Sequence, residues 1–88
     1  MKIDEARIKE FKDMCTEYYP GCTFNEDEKM NQVWCHTEAG DFGNPYDCLV
    51  GLVKDGDAYS VNDQWRDCTI TGSRDYVIEF LKKMNKAR

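Results

Sequence analysis

The stretch CLVGLVKDGDAYSVN, residues 48–62, decides the fold. Asp55-Gly56 at its centre is the strongest short signal for a two-residue hairpin turn, because that turn holds both central residues at positive φ. With the turn placed there, Lys54 faces Asp57, Leu52 faces Tyr59 and Val50 faces Val61. Side chains alternate across a strand, so these apolar pairs share one face, and Leu49, Val53 and Ala58 share the other. Two strands with an apolar face are not stable alone; they need more strands or a helix to cover that face.

Both flanks supply the cover. Upstream, residues 22–26 and 31–37 alternate as an earlier hairpin, with Cys22, Phe24, Val33 and Cys35 on one face and Thr23, Asn25, Trp34 and His36 on the other. A turn centred on Glu28-Lys29 sets Phe24 against Val33 and Cys22 against Cys35. Further upstream, Asp4 is a helix cap, and Ile3 and Ile8 are spaced to staple across it. Ile8, Phe11, Cys15 and Tyr18, with Met14 beside them, form one apolar helix stripe. Pro20 ends that helix, because the residue before a proline is pushed away from helical angles. Downstream, a short strand is expected at 67–70, and Gly72-Ser73 then opens a second helix over 74–86 with the stripe Val77, Phe80, Leu81 and Met84.

The expected fold class is therefore α+β: a four- or five-stranded antiparallel sheet, built from two consecutive hairpins, with N- and C-terminal helices packed on one face. Residues 1–88 are expected to form a single compact domain, since 88 residues leave no room for a second. The expected core is Ile8, Phe11, Cys15, Tyr18, Phe24, Val33, Cys35, Val50, Leu52, Tyr59, Val61, Val77, Phe80 and Leu81. The opposite sheet face is expected to present Trp34, His36, Leu49 and Val53 to solvent, rimmed by the turn acids Glu26, Asp27, Glu28, Asp55 and Asp57. An apolar patch with a polar rim is a common mark of a partner site. Residues 38–47, rich in glycine and polar side chains, read as a loop that carries Asp41, Phe42, Tyr46 and Asp47.

Composition bounds what this domain can do. Hydrophobic residues at 41% are too many for a disordered chain. The longest strongly apolar run, Leu49 to Val53, is far short of the roughly 20 residues of a membrane helix. The opening Met1-Lys2-Ile3-Asp4-Glu5 lacks the apolar centre of a secretory signal. Five cysteines, an odd number without any Cys-x-x-Cys pair, argue against a closed disulfide framework and against zinc ribbons. Cys35 and His36, as strand neighbours, point to opposite faces and cannot share a metal. The expected setting is the reducing cytoplasm, with the cysteines serving as small buried hydrophobes and with no metal or cofactor.

Charge is the functional signal. Net charge is −5 overall, but residues 20–67 alone carry three bases and ten acids, while residues 68–88 carry five bases and two acids. Such a middle does not bind a phosphate backbone, which needs clustered Lys and Arg; it attracts a basic surface. Phosphate-binding glycine loops and nucleophile elbows are absent from the sequence, so catalysis is not expected. The reading is a small acidic interaction protein that binds and inhibits or modulates a basic, nucleic-acid-binding partner or nuclease complex. Direct contact with nucleic acid or membrane is not expected. In size and charge, and in no motif, the chain resembles phage-encoded inhibitors of host defence enzymes, including anti-CRISPR proteins that mimic DNA. That likeness implies the host cytoplasm as the compartment and assigns no residue a role. Asp63 and Asp67, flanking Trp65-Arg66, join the candidate partner-binding residues. Three other readings are a thiol-based metal or redox module, a small ligand-binding or enzymatic domain using Asp63, Arg66 and Asp67, and a homodimer that buries its second sheet face.

Overall fold

A computed structural model of the chain describes residues 1–41, 43–62 and 68–88. Helix α1 spans Glu5–Tyr18, and the Asp4 carboxylate caps it by accepting the Ala6 N–H at 3.0 Å. Ile3 and Ile8 are buried on either side of that cap, in the positions of a hydrophobic staple. The strands are β1 (Thr23–Asp27), β2 (Gln32–His36), β3 (Cys48–Val53), β4 (Ala58–Val61) and β5 (Thr69–Thr71). Helix α2 spans Arg74–Ala87, and the Ser73 hydroxyl accepts the Tyr76 N–H at 3.2 Å at its start.

The strands lie in chain order, each antiparallel to the next. The β3–β4 hairpin has the expected register, Val50 with Val61 and Leu52 with Tyr59. Its turn is tight: Lys54, Asp55 and Gly56 take φ of 52°, 56° and 93°, and the Asp57 N–H donates to the Lys54 carbonyl at 3.0 Å.

The β1–β2 hairpin departs from the expected pairing. Phe24 faces Cys35 rather than Val33, and Val33 faces Glu26. The reason is local to the turn. The Asp27 carboxylate accepts the Met30 N–H at 3.0 Å and Asn31 adopts φ 55°, which carries the reversal one residue further along the chain. The slip in pairing is two residues, so every side chain keeps its face.

A second departure lies in β3. Cys35 pairs with Val50 but His36 pairs with Cys48, leaving Leu49 as the extra residue of a bulge. Strict alternation places Leu49 on the outer face; here it is fully buried within the core cluster.

Both helices cover one sheet face. Phe11 of α1 meets Phe24 edge-on and stacks on Tyr59, with ring centroids 6.3 Å and 6.2 Å apart. Ile3, Met14, Tyr19, Leu49 and Ile78 join the expected core, and Tyr18, Phe24 and Phe80 lie partly buried against it. Phe11, Met14, Leu49, Leu52 and Leu81 are among the largest fully buried side chains, each worth about 1.5–3 kcal/mol of burial.

This meander has two distinct ends. The β1–β2 and β3–β4 turns share one, together with the start of α1, where the Arg7 side chain donates to the Gly56 carbonyl at 2.9 Å. The β2–β3 connection and the ends of both helices share the other, where Arg88 lies 4.2 Å from the centroid of the Tyr19 ring and donates to the Pro20 carbonyl. Among the described residues no helix is long and apolar enough to cross a membrane.

Candidate functional site

The turn end gathers five of the expected partner-binding residues: Glu26 and Asp27 at the end of β1 and Glu28 in the turn that follows, with Asp55 and Asp57 in the β3–β4 turn. Asn31 fastens the two turns together. Its amide nitrogen donates to the Asp55 carboxylate and its oxygen accepts the Lys2 backbone N–H at 2.9 Å. Four of the five acids are exposed and Asp27 is half-buried. Lys12 stands 3.6 Å from Glu26, and Lys29 and Lys54 belong to the same turns. Arg7 also stands at this end, bonded to the Gly56 carbonyl and paired with Glu10 at 2.8 Å, and Arg74 opens α2 there, whereas Lys82, Lys83, Lys86 and Arg88 lie at the other end. Met30 projects from the first turn with 62% of its surface exposed. Neither Met30 nor Asn31 stood out in the sequence, because a turn residue has no periodicity to betray its role.

The outer sheet face is not the exposed patch that alternation suggests. His36, Leu49 and Val53 are all buried. Leu49 is drawn into the core by the bulge. Trp34 is half-buried, and its ring lies over Gly51, where a Cβ would come within 2.5 Å of the ring carbons. The indole N–H donates to the Gln32 side-chain oxygen at 3.0 Å. Burial pushes the His36 imidazole below its usual pKa, with the nearby Asp47 carboxylate opposing that shift. Of the four side chains expected to form an open face for a homodimer, Trp34 alone keeps part of its surface exposed.

Asp41, Tyr46 and Asp47 occupy the opposite end from the turn acids. Their loop is tied internally: the Asp41 carboxylate accepts the Gly43 N–H at 3.0 Å, and the Thr37 N–H donates to the Asp47 carbonyl at 2.7 Å. Tyr46 is 63% exposed. The thirteen candidate residues therefore do not form one surface. Phe42, Asp63 and Asp67, with Arg66, lie outside the described residues.

The cysteines form two groups. Cys15 and Cys35 are buried in the core between α1 and the β1–β2 hairpin, and Cys22, half-buried, packs against that core with its sulfur 4.0 Å from the Thr16 hydroxyl. Cys48 and Cys68 approach one another around Asn62, whose amide donates to the Cys48 carbonyl at 3.1 Å. Burial pushes the Cys48 thiol up to about 11. Among the described residues no group of three or more His, Cys, Asp or Glu side chains could hold a metal ion. A shallow groove of about 370 Å³ along α1 is lined by both signs of charge, Lys9, Glu10, Asp13, Glu17 and Arg74, with Lys9 paired to Asp13 at 2.6 Å. Comparison with protein-family models, with curated proteins and with solved structures finds no match to the chain.

Proposed function

We propose that this chain is a small, acidic, non-catalytic interaction protein that applies its turn end to a basic protein and blocks or modulates it. The partner class is a nucleic-acid-binding protein or a nuclease complex, whose cationic surface normally receives phosphates. One observation carries the reading: the turn ends of two hairpins, fastened by Asn31, hold Glu26, Asp27, Glu28, Asp55 and Asp57 at one end of the sheet, away from the lysines of α2. Carboxylates held at the tips of a rigid sheet offer a cationic groove the negative charge it is built to bind, and such attraction speeds association. Met30, exposed among them, supplies an adaptable apolar contact.

The test is affinity capture from a nucleic-acid-rich lysate with the wild-type chain and with the triple variant Glu26→Lys, Glu28→Lys, Asp57→Lys. The expected result is one or more basic, nucleic-acid-binding proteins held by the wild type at low salt, released by high salt or by competing DNA, and not held by the variant. Recovery of no basic protein, or equal recovery by the variant, would refute the proposal.

A further inference from the structure

Two helices cover a five-stranded sheet unevenly. Helix α1 lies over β2 and α2 over β4, side by side. β5, beyond β4, ends the sheet. Thr69, which shares the helix-side face with Val61, is exposed, and Ile70, which shares the outer face with Ser60, is 51% exposed. The uncovered strip continues onto α2. Val77 and Leu81 turn to the sheet and are fully buried. Arg74 lines the groove along α1, and Lys82 lies 5.4 Å from the centroid of the Tyr18 ring, so the row Arg74, Ile78 and Lys82 faces α1. At about 100° per residue, Tyr76 and Phe80 fall on the opposite flank, the one that overlooks β5. Tyr76 is 50% exposed and Phe80 only partly buried.

Charge says what fits there. Edge strands are commonly blunted by charged side chains or proline. β1, the other edge, carries Glu26 and Asp27, whereas residues 68–73 (Cys-Thr-Ile-Thr-Gly-Ser) hold no charged side chain in a chain of net charge −5. Two such chains repel one another over much of their surface and can meet at this neutral strip. A second copy also matches the strip in shape. It brings a strand that continues the sheet and, with it, a helix flank that covers the helix side of β5. We propose that the β5 edge and the Tyr76–Phe80 flank of α2 form the interface of a homodimer. β5 pairs antiparallel with β5 of the second copy about a two-fold axis at Ile70, so that one sheet runs through both chains. Tyr76 and Phe80 pack against the same two residues of the second α2. Glu79, 3.7 Å from Lys82 of its own helix, and Lys83 border this flank with opposite signs. Antiparallel helices bring Glu79 of one copy toward Lys83 of the other. The same arrangement points the two acidic turn ends in opposite directions, so each stays free for its own partner.

Sedimentation equilibrium of the full chain, across a concentration series at low and at high salt, tests this. The expected result is a rise from the mass of one chain to that of two, which high salt leaves in place because the strip is uncharged. Capture by the turn end is expected to be salt-sensitive, so the two proposals fail separately. Ile70→Lys and Tyr76→Lys, both at exposed positions, should each keep the circular dichroism of the wild type and lose the dimer. Tyr46→Lys, at an exposed position in the β2–β3 connection, should keep it. In a Cys68→Ser background, Ile70→Cys should give a disulfide-linked dimer on oxidation, because the two-fold sets position 70 of each copy opposite the other. The mass of one chain at every concentration would overturn the proposal, even if a strand of another protein were found on β5. A dimer that survives both lysine substitutions, or cross-links at position 70 that never form, would overturn it as well.

Discussion

Gly51 is held to glycine by a neighbour's ring, since its own φ lies outside the positive range. Any Cβ there meets the Trp34 ring at 2.5 Å, and that ring is anchored through its N–H to Gln32. Gly51→Ala should lower stability by about 1–3 kcal/mol, as overpacking does. Adding Trp34→Ala should make the pair of changes cost less than their sum, which a double-mutant cycle by thermal unfolding will show. His36 carries a second expectation. Its folded pKa is lowered by burial, whereas the unfolded imidazole titrates near about 6.5. Below that value the unfolded chain binds more protons than the folded one, so stability falls as pH drops. Urea unfolding from about pH 7.5 to about pH 5.5 should show this decline, and His36→Gln should flatten it. Neither residue's environment was legible beforehand. Strand alternation assigns a face, but it does not say whether that face stays open.

At the scale of elements, local rules held where the chain itself supplies the determinant. Asp4 and Ser73 cap the helices they were expected to cap. Replacing either by Ala should cost about 1 kcal/mol, measurable in chemical denaturation. Asp55-Gly56 set the β3–β4 register because a turn that demands two positive φ angles admits few alternatives. The β1–β2 turn has no such pair. Its register depends on the Asp27 carboxylate and on Asn31, whose contacts with Lys2 and Asp55 lie 29 and 24 residues away in the chain. Asn31→Gly keeps the positive φ and loses the side-chain bonds, so it should cost about 1–2 kcal/mol from bonds of roughly 0.5–1.5 kcal/mol each. Asn31→Ala should cost more, because alanine resists that backbone angle. The comparison of the two melting temperatures separates strain from lost bonding.

The whole molecule is organised end to end. The turn acids stand at the end where α1 and α2 begin, and the lysines of α2 stand where it finishes. Helix starts carry partial positive charge, so this polarity also suits the helices. Exposed charges contribute little to stability, and the triple lysine variant should melt within about 0.5 kcal/mol of the wild type in stability while losing its partner. Retained fold with lost capture assigns the carboxylates to binding rather than to holding the sheet. The acidic excess of residues 20–67 was visible in the sequence. Its division between two ends was not, because a meander sends alternate connections in opposite directions.

By itself the sequence determined the α+β class, the two hairpins, both helix caps and the face that β1, β2 and β4 turn to the helices. These follow from short-range chemistry: turn residues with special φ, capping side chains, and the periods of helix and strand. Only the tertiary structure decided that Leu49 leaves its alternating place at a bulge, that Trp34 folds down over Gly51, and that Asn31 joins two turns into one acidic end. Each of these rests on groups brought together across strands or between hairpins, and no local pattern records which distant neighbour will arrive.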